Sequence, residues 1–357
     1  MSRFFDFAPG SLIPYTPGEQ PRTPGKLIKL NTNESPYPPS PEVVAAIDRE
    51  QINDLRLYPD PNCDKLISAV AEHFDLPSDT VFPCNGSDEA LALCFHGFCR
   101  SGAVFPDVTY GFYRVLADMF RVKSEIVPLR GDLTTAPDDY IGKKGTVFLA
   151  NPNAPTGIYL NILQIEAVLR QDPDRLLVLD EAYIDFGAQS SYTLLKDFDN
   201  LLIVQTFSKS RQLAGGRVGF ALGNRELISD LNTMRFCFNP YNINRLSLAA
   251  GAAAMRDTAY FDQCREKIMA ARERTVERLR GLGMLVTDSL ANFVFIRPPG
   301  ISGFEYCAAL RQRGILVRYF DAPRLRDFVR VTIGTDEQMN EFFAATNDIL
   351  KERGQYA

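Results

Sequence analysis

Five short apolar runs recur between residues 100 and 225, at 103–106, 146–150, 176–179, 201–205 and 217–222. They are mostly apolar on both faces and are separated by turn-rich or helix-compatible segments. A strand covered on both sides by helices has this texture, because neither face meets water. The pattern predicts an α/β fold: a large domain with a mainly parallel, mixed sheet flanked by helices.

Upstream, 42–49, 65–74 and 88–98 read as helices, the last beginning after the turn Asn85, Gly86, Ser87. Residues 247–281 read as one long helical region rich in Ala, Arg and Glu. Strand patterns at 293–297, 315–319 and 328–333 then mix with helical ones at 304–313 and 337–353, an α+β texture. Residues 1–40 are rich in proline, glycine and polar side chains and read as an extended arm. The expected organisation is an arm over 1–40, a large domain over 41–265 and a smaller C-terminal domain over 266–357. The arm is expected to pack with the small domain or a partner subunit.

Composition removes several functions. A net charge of −5 gives no field for nucleic acid, so a small molecule is the expected partner, its anionic groups met by local arginines. His73 and His96 are the only histidines and have no metal-site spacing, which leaves a histidine triad or a multi-histidine metal centre without material. No metal is expected. The seven cysteines form no CxxC pair and read as reduced thiols. The start lacks a signal-peptide pattern, and no run approaches the ~18 apolar residues of a spanning helix, so a cytoplasmic protein away from membranes is expected.

Five motifs carry candidate chemistry. In DEAYIDF, Asp180 closes an apolar strand, where open α/β sheets meet ligands, and a carboxylate there is costly without a cation. A protonated pyridine nitrogen would serve, with Tyr183 donating to a phenolic oxygen of the same ring; a strand-end Asp capping a turn is the plainer alternative. In TFSKSRQLAGGRVGF, Lys209 follows the next strand beside Thr206 and Ser208 and ahead of Arg217, suiting an amine nucleophile near phosphate donors. A solvated loop lysine is the alternative. In CNGSDEALAL, the helix start at Ser87 and Asp88 suits an anion, or is an ordinary cap. Tyr110 in PDVTYGFY can stack on a flat ring or simply pack. NPNAPTG, residues 151–157, is a rigid turn that can hold Asn153 toward a ligand, or only a turn.

Taken in order, these motifs resemble the fold-type I enzymes that use pyridoxal phosphate, and among them the histidinol-phosphate aminotransferase family. The likeness runs from LIPYTPGEQ and KLNTNESPYPPSP to GILVRYF and FVRVTIGTDEQM, nearly the whole chain. It implies that Lys209 carries pyridoxal 5′-phosphate as a Schiff base and moves the proton at the substrate α-carbon. Asp180 would hold the pyridinium, while Tyr183 and Asn153 would contact the ring oxygen and Tyr110 would stack on the ring. Ser87, Asp88, Thr206, Ser208 and Arg217 would hold the phosphate, with Tyr58 supplied by a partner subunit across a homodimer that shares its active sites. Tyr15, Asn33, Arg318 and Arg330 would hold the substrate.

Two positions depart from the family pattern: Ala154 stands where many relatives have asparagine, so that either Asn153 takes over the contact or the ring oxygen relies on Tyr183 alone, and Gly216 stands where they have a larger apolar residue. The implied reaction is transamination between histidinol phosphate and 2-oxoglutarate in histidine biosynthesis. Rivals on the same scaffold are an aromatic amino-acid aminotransferase and a decarboxylase or lyase acting, for example, on threonine phosphate. A binding scaffold without turnover would be expected to have lost Lys209 or Asp180. A nicotinamide dehydrogenase lacks its GxGxxG.

Overall fold

The structure is a computed structural model, and it describes residues 5–8, 10–20 and 27–354, with nothing said of the side chains of residues 49 and 50. The parts of the expected arm at 1–4, 9 and 21–26 lie outside the described residues.

In chain order the strands are β1 (Ile28–Lys29), β2 (Val81–Cys84), β3 (Ala103–Pro106), β4 (Ser124–Val127), β5 (Thr146–Ala150), β6 (Leu177–Asp180), β7 (Leu201–Thr206) and β8 (Gly219–Gly223). They continue with β9 (Leu285–Val286), β10 (Phe293–Arg297), β11 (Ile315–Leu316), β12 (Arg318–Tyr319) and β13 (Val329–Thr332). The large sheet has the order β2-β8-β7-β6-β5-β3-β4, with β8 antiparallel to both neighbours and the other pairings parallel. Alternate residues feed opposite cores: Val147 and Leu149 pack into one cluster, and Phe148 between them packs into the other. Burial on both faces is why these strands are apolar at successive positions.

Sequence pattern missed two strands of this sheet. β2 reads VFPC and contains Pro83, which an edge strand tolerates because its outer groups need no ladder partner. β4 occupies the opposite edge and is only partly covered, so its composition is mixed. The expected helix over 247–281 is two helices, Arg245–Arg256 and Thr258–Gly281. Asp257 leaves helical geometry at ψ 71 and its side chain caps the second helix by accepting from the Tyr260 N–H.

A second sheet, β12-β13-β10-β9, is antiparallel. Val329 and Val331 pack beneath it with Tyr306, Leu310 and Phe342 of two helices, so Arg330 between them stands on the other face. β1 adds to this C-terminal region by pairing in parallel with β11. Among the described residues no helix is long and apolar enough to cross a membrane, and no cluster of potential metal ligands occurs.

Candidate active site

The parallel strands β5, β6 and β7 lie side by side, with Ala150 opposite Asp180 and Asp180 opposite Val204. Their carboxyl ends therefore bring NPNAPTG, DEAYIDF and TFSK to one edge of the sheet.

Asp180 is buried. Its Oδ2 accepts from the Tyr113 hydroxyl at 3.0 Å and its Oδ1 from the Ala182 N–H at 3.1 Å. Burial pushes its carboxyl up to about 6, against the pull of those donors. No ion pair among the described residues involves it, so the carboxylate lacks a cation of its own. Lys209 donates to the Thr32 carbonyl at 3.2 Å, and its Nζ sits 5.8 Å from the Tyr183 ring centre. Burial draws its amine down to about 8, assisted by the charge of Arg330. An amine so placed reaches its neutral, nucleophilic form at a lower pH than a free lysine does, near 8.

The anion cradle is formed by the start of helix Ser87–Gly97 and Arg217. Gly86 precedes the helix with φ +73°, and a Cβ there would lie 2.5 Å from Arg217 Nη2. Only glycine lets the guanidinium lie so close to the free N–H groups of the first turn. A Cβ on Gly219 would likewise lie 2.8 Å from the Ser87 nitrogen. Arg217 itself is left-handed, at φ +52°, and donates to Asp88 Oδ2 at 3.2 Å. Tyr110 donates to the other oxygen, Oδ1, at 3.0 Å. Thr206 Oγ1 donates to Ser208 Oγ at 3.0 Å and accepts from the Ser208 N–H, fixing the hydroxyl pair ahead of Lys209.

Across from this edge stand two arginines. Arg318 and Arg330 are direct partners in the β12–β13 ladder, so their side chains share a face. Like charges in that relation destabilise a sheet unless an anion joins them, and no carboxylate is ion-paired with either among the described residues. Arg330 lies between the rings of Phe293 and Phe320, at 5.2 and 5.5 Å, donates to Asn31 O at 3.2 Å, and has a buried Nε with no partner. Burial lowers its pKa. Arg318 holds the arm, donating to Thr16 O at 2.8 Å and Pro17 O at 3.3 Å. That contact brings Tyr15 to the pocket, 6.1 Å from the Tyr110 ring.

Three expected site residues are placed differently from those. Asn153 uses its whole amide to tie the turn to the loop after β3, accepting from Thr109 and donating to Val108 O and, within the turn, to Thr156 Oγ1. Asn33 donates to the Tyr183 hydroxyl at 2.9 Å. Tyr58 is 76% exposed and stacks on Tyr241 at 4.4 Å. Sequence reasoning overlooked Tyr113, whose only signal was its place three residues after Tyr110 at a helix start. Thr32, the acceptor of the Lys209 amine, had no signal.

The model of the aminotransferase class I and II family matches residues 25–345. This chain belongs to that family. It is 46% identical over 354 residues to the histidinol-phosphate aminotransferase of Brachyspira hyodysenteriae, covering 98% of this chain and 100% of the relative. It is 47% identical over 352 residues to histidinol-phosphate aminotransferase 1 of Bradyrhizobium diazoefficiens, covering 98% and 100%. Among solved structures, histidinol-phosphate aminotransferase from Sinorhizobium meliloti in complex with pyridoxal-5′-phosphate superimposes with a TM-score of 0.82 at 25% identity, covering 91% of this chain and 90% of that one. The fold is that of the fold-type I aminotransferases.

The residues of this aminotransferase fit pyridoxal phosphate on structural grounds. A buried carboxylate without a cation would suit the ring nitrogen, a lysine amine drawn down to about 8 would suit the aldehyde, and a helix start with an arginine against it would suit the phosphate.

Proposed function

We propose that the protein is a pyridoxal-phosphate-dependent aminotransferase acting on histidinol phosphate and 2-oxoglutarate in histidine biosynthesis. The observation that carries the substrate reading is the cross-strand pair Arg318 and Arg330, with the unmet Nε of Arg330 beside Lys209's end of the pocket. One half-reaction must bind a phosphate and the other a second carboxylate, and a pair of adjacent guanidinium forks suits both. The names of the relatives, at 46–47% identity over nearly their whole length, support the same substrate.

The cofactor supplies an electron sink that stabilises negative charge at the substrate α-carbon. In this reading the chain does the rest. Asp180 keeps the ring nitrogen protonated, and Arg217 with the Ser87 and Asp88 N–H groups anchors the phosphate. Thr206 and Ser208 complete that anchor, and Tyr110 stacks on the ring. Lys209 would take and return the α-proton. Arg330 and Arg318, with Tyr15, hold the anionic end of the substrate.

The working unit is a homodimer in this reading, and Tyr58 serves the phosphate site of a second copy. Its exposed stack on Tyr241, beside exposed Leu57 and Phe238, supports such a contact. The same reading divides the chain into an arm over 1–40, a large domain over 41–265 and a small domain over 266–357; the separate seven-stranded and four-stranded sheets support it, while residue 265 itself lies inside the helix Thr258–Gly281. The free cysteines agree with a cytoplasmic protein.

The test is an absorbance spectrum of the protein loaded with pyridoxal phosphate. Histidinol phosphate should bleach the visible band, and 2-oxoglutarate should restore it. A band indifferent to histidinol phosphate would remove the substrate assignment, and carbon dioxide release without need of an oxo acid would point to a decarboxylase.

A further inference from the structure

We propose that Thr332 is a positioning residue that sets the direction of the Tyr183 hydrogen bond to the cofactor's ring oxygen, through a relay that runs Thr332, Asn33, Tyr183. The inference rests on the pyridoxal phosphate reading above.

The argument is one of donors and acceptors. A hydroxyl carries one hydrogen, and an amide nitrogen donates but does not accept. The Asn33 backbone N–H points at Thr332 Oγ1 at 3.0 Å, so that oxygen accepts there and its own hydrogen faces elsewhere. It donates to Asn33 Oδ1, also at 3.0 Å. With Oδ1 held by Thr332, the Nδ2 end of the amide is turned to Tyr183, whose hydroxyl oxygen accepts from it at 2.9 Å. The single hydrogen of Tyr183 is then left for another acceptor. In the loaded protein that acceptor is the ring oxygen.

The relay is rigid at each step. Thr332 is 2% exposed and Asn33 1% exposed, so water does not compete for these groups. Asn33 sits at φ +56°, a conformation asparagine tolerates, and its carbonyl accepts from the buried Asn292 amide at 2.9 Å. The Tyr183 ring stands edge-on to Phe293, at 5.1 Å and 89°.

The relay matters more in this chain than the motif pattern suggested. At position 154, where many relatives place an asparagine, Ala154 packs with Ala291 and Phe293 against Tyr183 and has no amide to offer. Asn153 spends its own amide on Thr109, Val108 O and Thr156. The ring oxygen is thus left to Tyr183 on this side of the pocket. The relay also starts on β13, the strand of Arg330, so the substrate-binding sheet is joined to the cofactor contact by two residues.

A donor to the ring oxygen stabilises its negative charge and competes with the proton on the Lys209 nitrogen beside it. It therefore lowers the pH at which the visible band of the loaded protein titrates, and a weakened donor raises that pH. The test is this titration midpoint, read by absorbance without substrate, in wild type, Thr332→Val, Thr332→Ser and Tyr183→Phe. Thr332→Val should shift the midpoint up by about half to one pH unit, in the same direction as Tyr183→Phe. Thr332→Ser, which keeps the hydroxyl, should return it to the wild-type value. In the Tyr183→Phe background Thr332→Val should add nothing.

Asn33→Asp gives a second line if the valine variant folds poorly. A carboxylate of the same size cannot donate to Tyr183 and instead draws its hydrogen away, so the midpoint should rise. An unmoved midpoint in both Thr332→Val and Asn33→Asp overturns the relay, as does an equal shift with or without the tyrosine hydroxyl. If Tyr183→Phe itself leaves the midpoint in place, Tyr183 does not donate to the ring and the relay falls. Absence of any visible band in the wild type would instead remove the cofactor reading on which it rests.

Discussion

The hydroxyl of Tyr113 donates to Oδ2 of Asp180 across 3.0 Å, and both groups are buried beneath the carboxyl edge of the large sheet. This bond is one of two that keep the carboxylate from rising above about 6. Tyr113→Phe removes a donor and leaves the acceptor in place, at a cost of ~1–2 kcal/mol. The variant should bind pyridoxal phosphate about tenfold more weakly or slower by a similar factor in kcat/KM, measured by equilibrium titration and initial rates. Unchanged values in both would mean that the bond does not support the ring nitrogen's partner.

The Lys209 amine, drawn down to about 8, should make cofactor capture pH-dependent. The charged form dominates below that value and cannot attack, so the rate at which the apoprotein takes up pyridoxal phosphate should rise toward pH 8 and then level. Removing the neighbouring cation in Arg330→Gln should move the rise to higher pH, because a like charge no longer disfavours the ammonium. Stopped-flow absorbance reads the profile directly.

Gly86→Ala places a methyl 2.5 Å from Arg217 Nη2 at a backbone angle that alanine resists. The guanidinium must retreat from the helix start. Cofactor affinity should fall about tenfold or more, with ~1 kcal/mol of stability lost from the backbone alone. Fluorescence titration with pyridoxal phosphate checks the first and denaturant unfolding of the apoprotein the second. A wild-type affinity would show that Arg217 holds no phosphate.

Glu181 is buried behind Asp180 and accepts from Ser190, the Ser191 N–H and Gln205, at 2.5, 2.8 and 2.9 Å. Burial still pushes its carboxyl from 4.5 up to about 7. Between those values the unfolded chain gives up this proton while the folded apoprotein keeps it. Rising pH therefore favours unfolding across that window, and the contribution of Glu181 to stability declines from about pH 4.5 to 7. Glu181→Gln does not titrate, so its stability relative to wild type should improve as pH rises from about 5 to 7 in urea unfolding of the apoprotein. A constant difference would mean that Glu181 is already ionised near pH 5.

Some of this was legible in the residues themselves. The strands β3 and β5 and the end of β6 were visible because burial on both faces makes successive residues apolar, a local signature. Lys209 and Asp180 were legible because they stand at or just past the end of such a run, where an α/β sheet receives ligands, and Arg217 because it follows the lysine motif at the start of the next run. β2 and β4 were not, since an edge strand needs neither continuous apolar character nor a full ladder and so leaves a weaker trace. The break at Asp257 was hidden for a different reason: a capping side chain outweighed a helix-favouring composition.

What tertiary structure decided are the relations between residues far apart in the chain. Thr332 meets Asn33 across 299 positions, Asn33 meets Tyr183 across 150, and Lys209 meets Thr32 across 177. Local periodicity reports whether a residue faces the core, because that depends on its own strand or helix. It says nothing of which partner an oxygen will meet, because hydrogen bonds are directional and short, and only the packing of distant segments against one another brings their partners within reach. The sequence by itself therefore determined the scaffold and its principal chemical groups. The packed fold decided how those groups are oriented, which of them share a face, and which asparagine stands beside Tyr183.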